Sequence, residues 1–201
     1  FLFFRDPAGN LIELHQHGRC RCTANARAAS SGEYARLWSA VMFADMRGFT
    51  AISEQLKPTD VLPLLNEYFS LLTEIAVAHR GTVFSMAGDG LMVGFGVPEQ
   101  RIDAPELAVV TAQEMLTRFR GLAAEWKQRL GIDTGLGIGI NAGEVIAGNV
   151  GSVNYANYTI IGDTVNVASR LSQRARAGEA LISGTVKRSL DQLGFEVPAV
   201  E

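Results

Sequence analysis

Apolar positions along this chain recur with two periods. Residues 39–46, SAVMFADM, form a short, nearly continuous apolar run that ends next to a carboxylate, the pattern of a buried strand. Residues 48–56 suggest a short helix. Leu62, Leu65, Phe69, Leu72 and Ile75 then share one stripe of a longer helix, which Thr59 is suited to cap and which runs to about residue 79. Pro63 falls near its first turn, where a missing N–H does least harm. Residues 81–85 and 91–95 read as strands around Gly88-Asp89-Gly90, and 105–130 as a second long helix whose amphipathic end carries Trp126, Lys127 and Arg129. Residues 135–141 and 144–148 read as another strand pair turning near Ala142. Residues 158–161 form a strand feeding a helix over 163–174, and 180–183 form a last strand before a short helix. Such alternation predicts an α/β or α+β domain with a mixed, largely antiparallel sheet. Trp38, Phe43, Phe69 and Phe95 are its aromatic core candidates.

Ahead of this domain the pattern changes. Residues 1–16 hold two short apolar runs around Pro7-Ala8-Gly9-Asn10, which predicts a hairpin. Residues 17–36 are rich in Ala, Arg, Ser and Gly and read as a linker, so the compact domain is expected over 37–201. The chain begins at Phe1, and the hairpin reads as the remnant of an upstream domain.

Composition narrows the function classes. The 201 residues are 47% hydrophobic and 19% charged, ordinary for a globular domain, and no apolar run reaches bilayer length. A net charge of -3 gives no reason to expect nucleic acid. With two cysteines, Cys20 and Cys22, there is no disulfide framework, and a reducing cytoplasm is the expected setting. His15, His17, Cys20 and Cys22 invite a zinc reading, but lack the spacing of usual zinc fingers.

Three segments carry chemistry. In FADMRGFT, residues 43–50, Asp45 leaves a strand and Gly48 opens a helix whose first N–H groups suit phosphate; the plainer reading makes Asp45 a helix cap. In AGDG, residues 87–90, Asp89 sits in a tight turn, and on its own would be a simple turn residue. If those strands pair beside the first, the two carboxylates meet, which suits two divalent ions about 4 Å apart clamping an in-line displacement. In YTIIGDTVNVASRL, residues 158–171, Asn166 and Arg170 lie one helical turn apart. Arg170 offers a fork of donors for phosphate oxygens, unless this is an ordinary solvated face.

In this order, and with NEYF (66–69), GTV (81–83), GIGINAGEVIAGNVGS (137–152) and LIS (181–183), the segments resemble the catalytic domain of class III adenylyl and guanylyl cyclases over about 38–195. That resemblance implies a ferredoxin-like class III nucleotide cyclase fold working as a head-to-tail homodimer. It implies Mg²⁺ or Mn²⁺, two ions per site, held by Asp45, the Met46 carbonyl and Asp89. Phosphates would rest on Gly48, Phe49 and Thr50. The partner chain would supply Asn166 for the ribose and Arg170 for charge on the α-phosphate.

Two base-reading positions depart from the family pattern. Thr159 fits an adenine reader, whereas Ser85 stands where adenylyl cyclases usually carry Lys and guanylyl cyclases Glu. Weak purine discrimination with ATP preferred is the expectation. A guanylate cyclase, or a degenerate cyclase-like module for nucleotide sensing or dimerisation, are the alternatives. The family's later strands carry a Lys for the triphosphate; none is apparent before Glu201, so the C-terminal strands are expected to be truncated. The first residues, FRDPAGNLIEL, resemble the closing hairpin of vicinal oxygen chelate proteins, in which the position of Glu13 is often a metal ligand.

Overall fold

The computed structural model describes residues 2–5, 11–14, 34–152 and 155–195. Residues 17–33 of the expected linker, the histidine and cysteine positions 15, 17, 20 and 22, and the last six residues lie outside them. The hairpin at the N-terminus is present: β1 (Leu2–Arg5) pairs antiparallel with β2 (Leu11–Leu14), placing Phe3 opposite Glu13.

The main sheet is built on β3 (Tyr34–Met46), which starts inside the stretch read as linker and runs for 13 residues. After it come α1 (Phe49–Gln55), α2 (Pro58–Ala78), β4 (Thr82–Ala87), β5 (Gly90–Phe95) and α3 (Ala104–Leu130). The second half comprises β6 (Leu136–Ser152), β7 (Tyr155–Ile161), α4 (Asp163–Arg174), β8 (Glu179–Ile182) and α5 (Gly184–Leu193). Strand order is β4-β5-β3-β6-β7, all antiparallel, with β8 parallel to the start of β6 on the edge that β7 uses further along.

β6 corrects the sequence reading. Residues 135–148 are not a hairpin turning near Ala142; β6 is one strand of 17 residues, and β3 pairs with it from Tyr34↔Gly148 to Met46↔Leu136. Its glycines serve packing rather than turning. Ile138, Ile140 and Ala142 enter the core under α2 and α3, while Gly137, Gly139 and Gly143 alternate onto the other face. A Cβ at Gly139 would lie 2.0 Å from the Ser172 amide nitrogen, and one at Gly143 2.7 Å from Thr164 Oγ1, so α4 rests almost directly on the strand backbone.

Helix α2 begins at Pro58 with Lys57 at the cap, two residues before the expected Thr59. It buries Leu64, Leu65, Tyr68, Leu72, Ile75 and Ala76, whereas Leu62, assigned to the stripe, is exposed. By length and composition alone α2 could cross a membrane; here it is the helix that covers the sheet. Of the aromatic candidates only Phe95 is fully buried, while Trp38 and Phe69 pack at the core's margin and Phe43 on the α4 face. Trp126 lies near the end of α3, as the sequence reading has it, and is buried there. It is 0% exposed, and its Nε1–H donates to Glu67 Oε2 at 2.7 Å, where Arg129 also donates, at 2.7 and 2.9 Å to the two carboxylate oxygens. These bonds pull the Glu67 carboxyl below its usual range, Arg129 first and Trp126 second, and they clamp α2 to α3.

Candidate active site

The sheet register brings the two aspartates together. β5 lies beside β3 with Ala44 opposite Leu91, so Asp45, one residue after Ala44, comes near Asp89, two residues before Leu91. Gly88, at φ 61, makes the tight turn that carries Asp89. The Met46 N–H then donates to Asp89 Oδ2 at 3.1 Å, tying the turn to the end of β3. The Met46 side chain enters the core, so only its backbone faces the carboxylates.

Asp89 is uncomfortable as an anion. Burial first, and the neighbouring Asp45 carboxylate second, raise its pKa from 3.8 to about 7. Beneath it lies Tyr68, fully buried and with no hydrogen-bond partner for its hydroxyl. Burial, then the charges of Asp89 and Asp45, hold that phenol well above its usual range. Arg47 supplies a cation: its Nη2 lies 3.3 Å from Asp45 Oδ2. Among the described residues no three His, Cys, Asp or Glu side chains cluster as metal ligands. The donor set is therefore two carboxylates, one held at a raised pKa. Such a set fits a hard divalent ion that takes its remaining ligands from backbone, water and substrate phosphates.

Beyond Met46 the chain turns at Gly48, φ 75, into the seven-residue α1. Phe49 and Thr50 begin that helix, where N–H groups have no intrahelical acceptor. Phe49 packs against the core; Gly48 and Thr50 are exposed.

Asn166 and Arg170 stand apart from this centre. α4 buries Thr164, Ala168 and Ser172 against the sheet, a spacing of four that leaves 166 and 170 on the outward face. Neither makes a hydrogen bond or ion pair with Asp45 or Asp89; the partner of Arg170 is Asp163, at 3.5 Å. Within one chain the four polar residues do not form one site.

The two positions read as base contacts, Ser85 and Thr159, lie on strands whose neighbouring aromatics meet. Ser85 is half-buried on β4 and Thr159 half-buried on β7, the two ends of the strand order. The sheet curls enough for Phe84 and Tyr158, their immediate neighbours, to approach with ring centroids 6.1 Å apart. A Cβ at Gly94 would meet both Phe84 and Ile160, so a bare backbone on β5 makes that approach possible.

The family description "Adenylate and Guanylate cyclase catalytic domain" matches residues 38–201. The chain belongs to this family. The cyclase domain is 36% identical over 138 residues to adenylate cyclase 1 of Rhizobium meliloti, covering 65% of this chain and 20% of that protein. Its fold resembles the adenylyl cyclase CyaB from P. aeruginosa, with TM-score 0.77, 34% identity and coverage of 80% and 84% of the two chains. It also resembles the guanylyl cyclase Cya2, with TM-score 0.73, 35% identity and coverage of 77% and 79%. The chain spans about a quarter of the length of the curated relatives it matches.

Two residues beside the aspartate pair were missed by sequence reasoning. Arg47 lies inside the FADMRGFT motif, between the carboxylate and the glycine, and a cation two residues from a strand-end carboxylate was the available signal. Tyr68 lies in NEYF, but nothing in a helical stripe separates a tyrosine next to the aspartate pair from one in the general core.

Proposed function

We propose that this cyclase domain is an adenylate cyclase, closing ATP to 3′,5′-cyclic AMP and pyrophosphate at a homodimer interface. The observation that carries the reading is the Asp45–Asp89 pair, held together where Asp89 accepts from the Met46 N–H next to Asp45, with Asp89 pushed up to about 7 by burial and by Asp45. Asp45, Asp89 and the Met46 carbonyl would hold Mg²⁺ or Mn²⁺, two ions per site. Bound there, divalent ions supply Lewis-acid polarisation of phosphate oxygens and of the attacking hydroxyl.

The ribose 3′-oxygen attacks the α-phosphorus, its proton leaves, and the bond to the pyrophosphate oxygen breaks. The amides of Gly48, Phe49 and Thr50 orient the phosphates at the start of α1. Asn166 positions the ribose, and Arg170 offsets charge growing on the α-phosphate, a contact typically worth about 3–4 kcal/mol of barrier. Because both project away from their own aspartates, the reading requires a second chain, head to tail, to bring them over the site. A cytoplasmic setting, where nucleoside triphosphates and Mg²⁺ coexist, belongs to the same proposal.

Adenine preference rests on Thr159 accepting from the 6-amino group, with Ser85 nearby. Hydroxyls donate and accept, so neither rejects guanine by charge. A neutral hydrogen bond is worth about 1 kcal/mol, which limits the preference for ATP to roughly fivefold in kcat/KM. The test is cyclic nucleotide formation from ATP and from GTP with Mn²⁺ at high protein concentration, beside Asp45→Ala. Product from ATP that disappears in the variant is the expected result. Equal or greater efficiency with GTP overturns the adenine preference. Loss of all activity in a preparation shown to dimerise overturns the enzyme reading in favour of a nucleotide-sensing or dimerisation module.

A further inference from the structure

Arg47 has no role in the chemistry described so far, yet it is built into the centre. Its backbone is bolted at both ends: the Arg47 N–H donates to Gly135 O at 2.8 Å, and Thr134 Oγ1 donates to Arg47 O at 2.7 Å. The side chain then folds across β6 at Gly137, the residue directly opposite Asp45. A Cβ at 137 would stand 2.5–2.6 Å from Nε, Cζ and Nη2, so only glycine leaves the channel the guanidinium occupies.

The way it is held is unusual for an arginine whose purpose is structural. A guanidinium normally pairs with a carboxylate through two nitrogens, at about 2.8 Å each. Here one nitrogen serves three oxygens at long range: Asp45 Oδ2 at 3.3 Å, Asp45 O at 3.3 Å and Gly137 O at 3.5 Å. The Nε is buried and has no partner. Two of the three contacts are to backbone and do not depend on the carboxylate being available.

We propose that Arg47 is the internal counter-cation of the carboxylate pair: a positioning residue that holds Asp45 when no metal is bound and competes with the metal for Asp45 Oδ2. The inference rests on the two-metal reading above. A divalent ion entering the site displaces the Nη2–Oδ2 contact, while the bonds to Asp45 O and Gly137 O keep the guanidinium tethered beside it. The cation lowers metal affinity and makes the metal site reversible; it does not contribute a ligand.

The test is binding of Mn²⁺ alone, without nucleotide, followed through the electron-spin resonance of the free ion, with circular dichroism to establish folding. Arg47→Met keeps the length and removes the charge. Like charges a few ångströms apart in a half-buried site make a tightening on the order of tenfold the expected result. A merely structural arginine gives the opposite sign, because damage to the site weakens binding. Unchanged or weaker Mn²⁺ binding in Arg47→Met overturns the proposal. If that variant does not fold, Gly137→Ala carries the same test: its methyl group meets only the far end of a flexible side chain and pushes the guanidinium off Asp45. Tighter binding again supports the proposal, and unchanged or weaker binding overturns it. Absence of Mn²⁺ binding by the wild type overturns the two-metal reading itself, and this proposal with it, a result distinct from the other two.

Discussion

Asp89 holds a charge that its surroundings resist, and replacing it with asparagine should stabilise the metal-free domain at neutral pH. The asparagine Oδ1 keeps the acceptor for the Met46 N–H, so the change removes charge and little else. The folded carboxyl titrates at about 7 against 3.8 for the free group. That gap of about three units corresponds to about 4 kcal/mol as a ceiling, and partial solvent access and relaxation bring it to roughly 2–4 kcal/mol. The sign follows from which state binds more protons. Below 3.8 the group is neutral in both states and there is no penalty. Between 3.8 and 7 the folded state holds the proton that the unfolded state has released, so wild-type stability falls as pH rises; above 7 the penalty is complete. The assay is urea unfolding in EDTA, followed by tryptophan fluorescence, for wild type and Asp89→Asn at pH 5 and pH 8. The advantage of the variant should grow by about 2 kcal/mol across that interval, which at this size corresponds to a rise in Tm of roughly 4–8 °C. Adding Mn²⁺ should then stabilise the wild type and leave the variant nearly unmoved. Parallel curves at the two pH values would show that Asp89 is not held protonated and would refute the reasoning.

The divided site predicts complementation between dead variants. Asp45→Ala and Arg170→Ala should each lose activity by about a hundredfold or more, whereas an equal mixture allowed to exchange chains should recover about a quarter of wild type, since half the dimers are mixed and each has one intact site. No recovery on mixing would mean that one chain supplies the whole site. Gly139→Ala should destabilise the fold by about 3 kcal/mol or more, because its Cβ would meet the backbone of α4 rather than a movable side chain; a urea midpoint near wild type would contradict the close packing. Trp126→Phe should cost about 1–2 kcal/mol in the same assay by removing the bond to Glu67, with the Arg129–Glu67 pair left in place.

How much of this was legible in the sequence can be argued element by element. The apolar run before Asp45, the α2 and α3 patterns and the hairpin around Asp89 follow from local period and turn chemistry, and all reappear in the structure. Asp45 and Asp89 could be paired on paper because adjacent strands in a hairpin-rich sheet leave few alternatives. The GIGINAG segment could not be read correctly: alternating glycines resemble a turn, and only the presence of α4 on their face shows that they are missing side chains in a continuous strand. The burial of Trp126 was not legible for a similar reason, since its partner Glu67 lies on another helix.

By itself, then, the sequence determined the family, the order of the elements and the residues that carry charge or donors, because these depend on short-range periodicity and on motif chemistry. The tertiary structure decided what those residues do to one another. Burial beside Asp45 is what gives Asp89 its altered titration, and the missing side chain at Gly137 is what lets Arg47 reach across to Asp45. The four-residue spacing along α4 turns Asn166 and Arg170 outward once its other face is laid on β6. Each of these effects is a distance between segments far apart in the chain, and electrostatic energy and steric exclusion are set by such distances, not by the spacing of letters along the sequence.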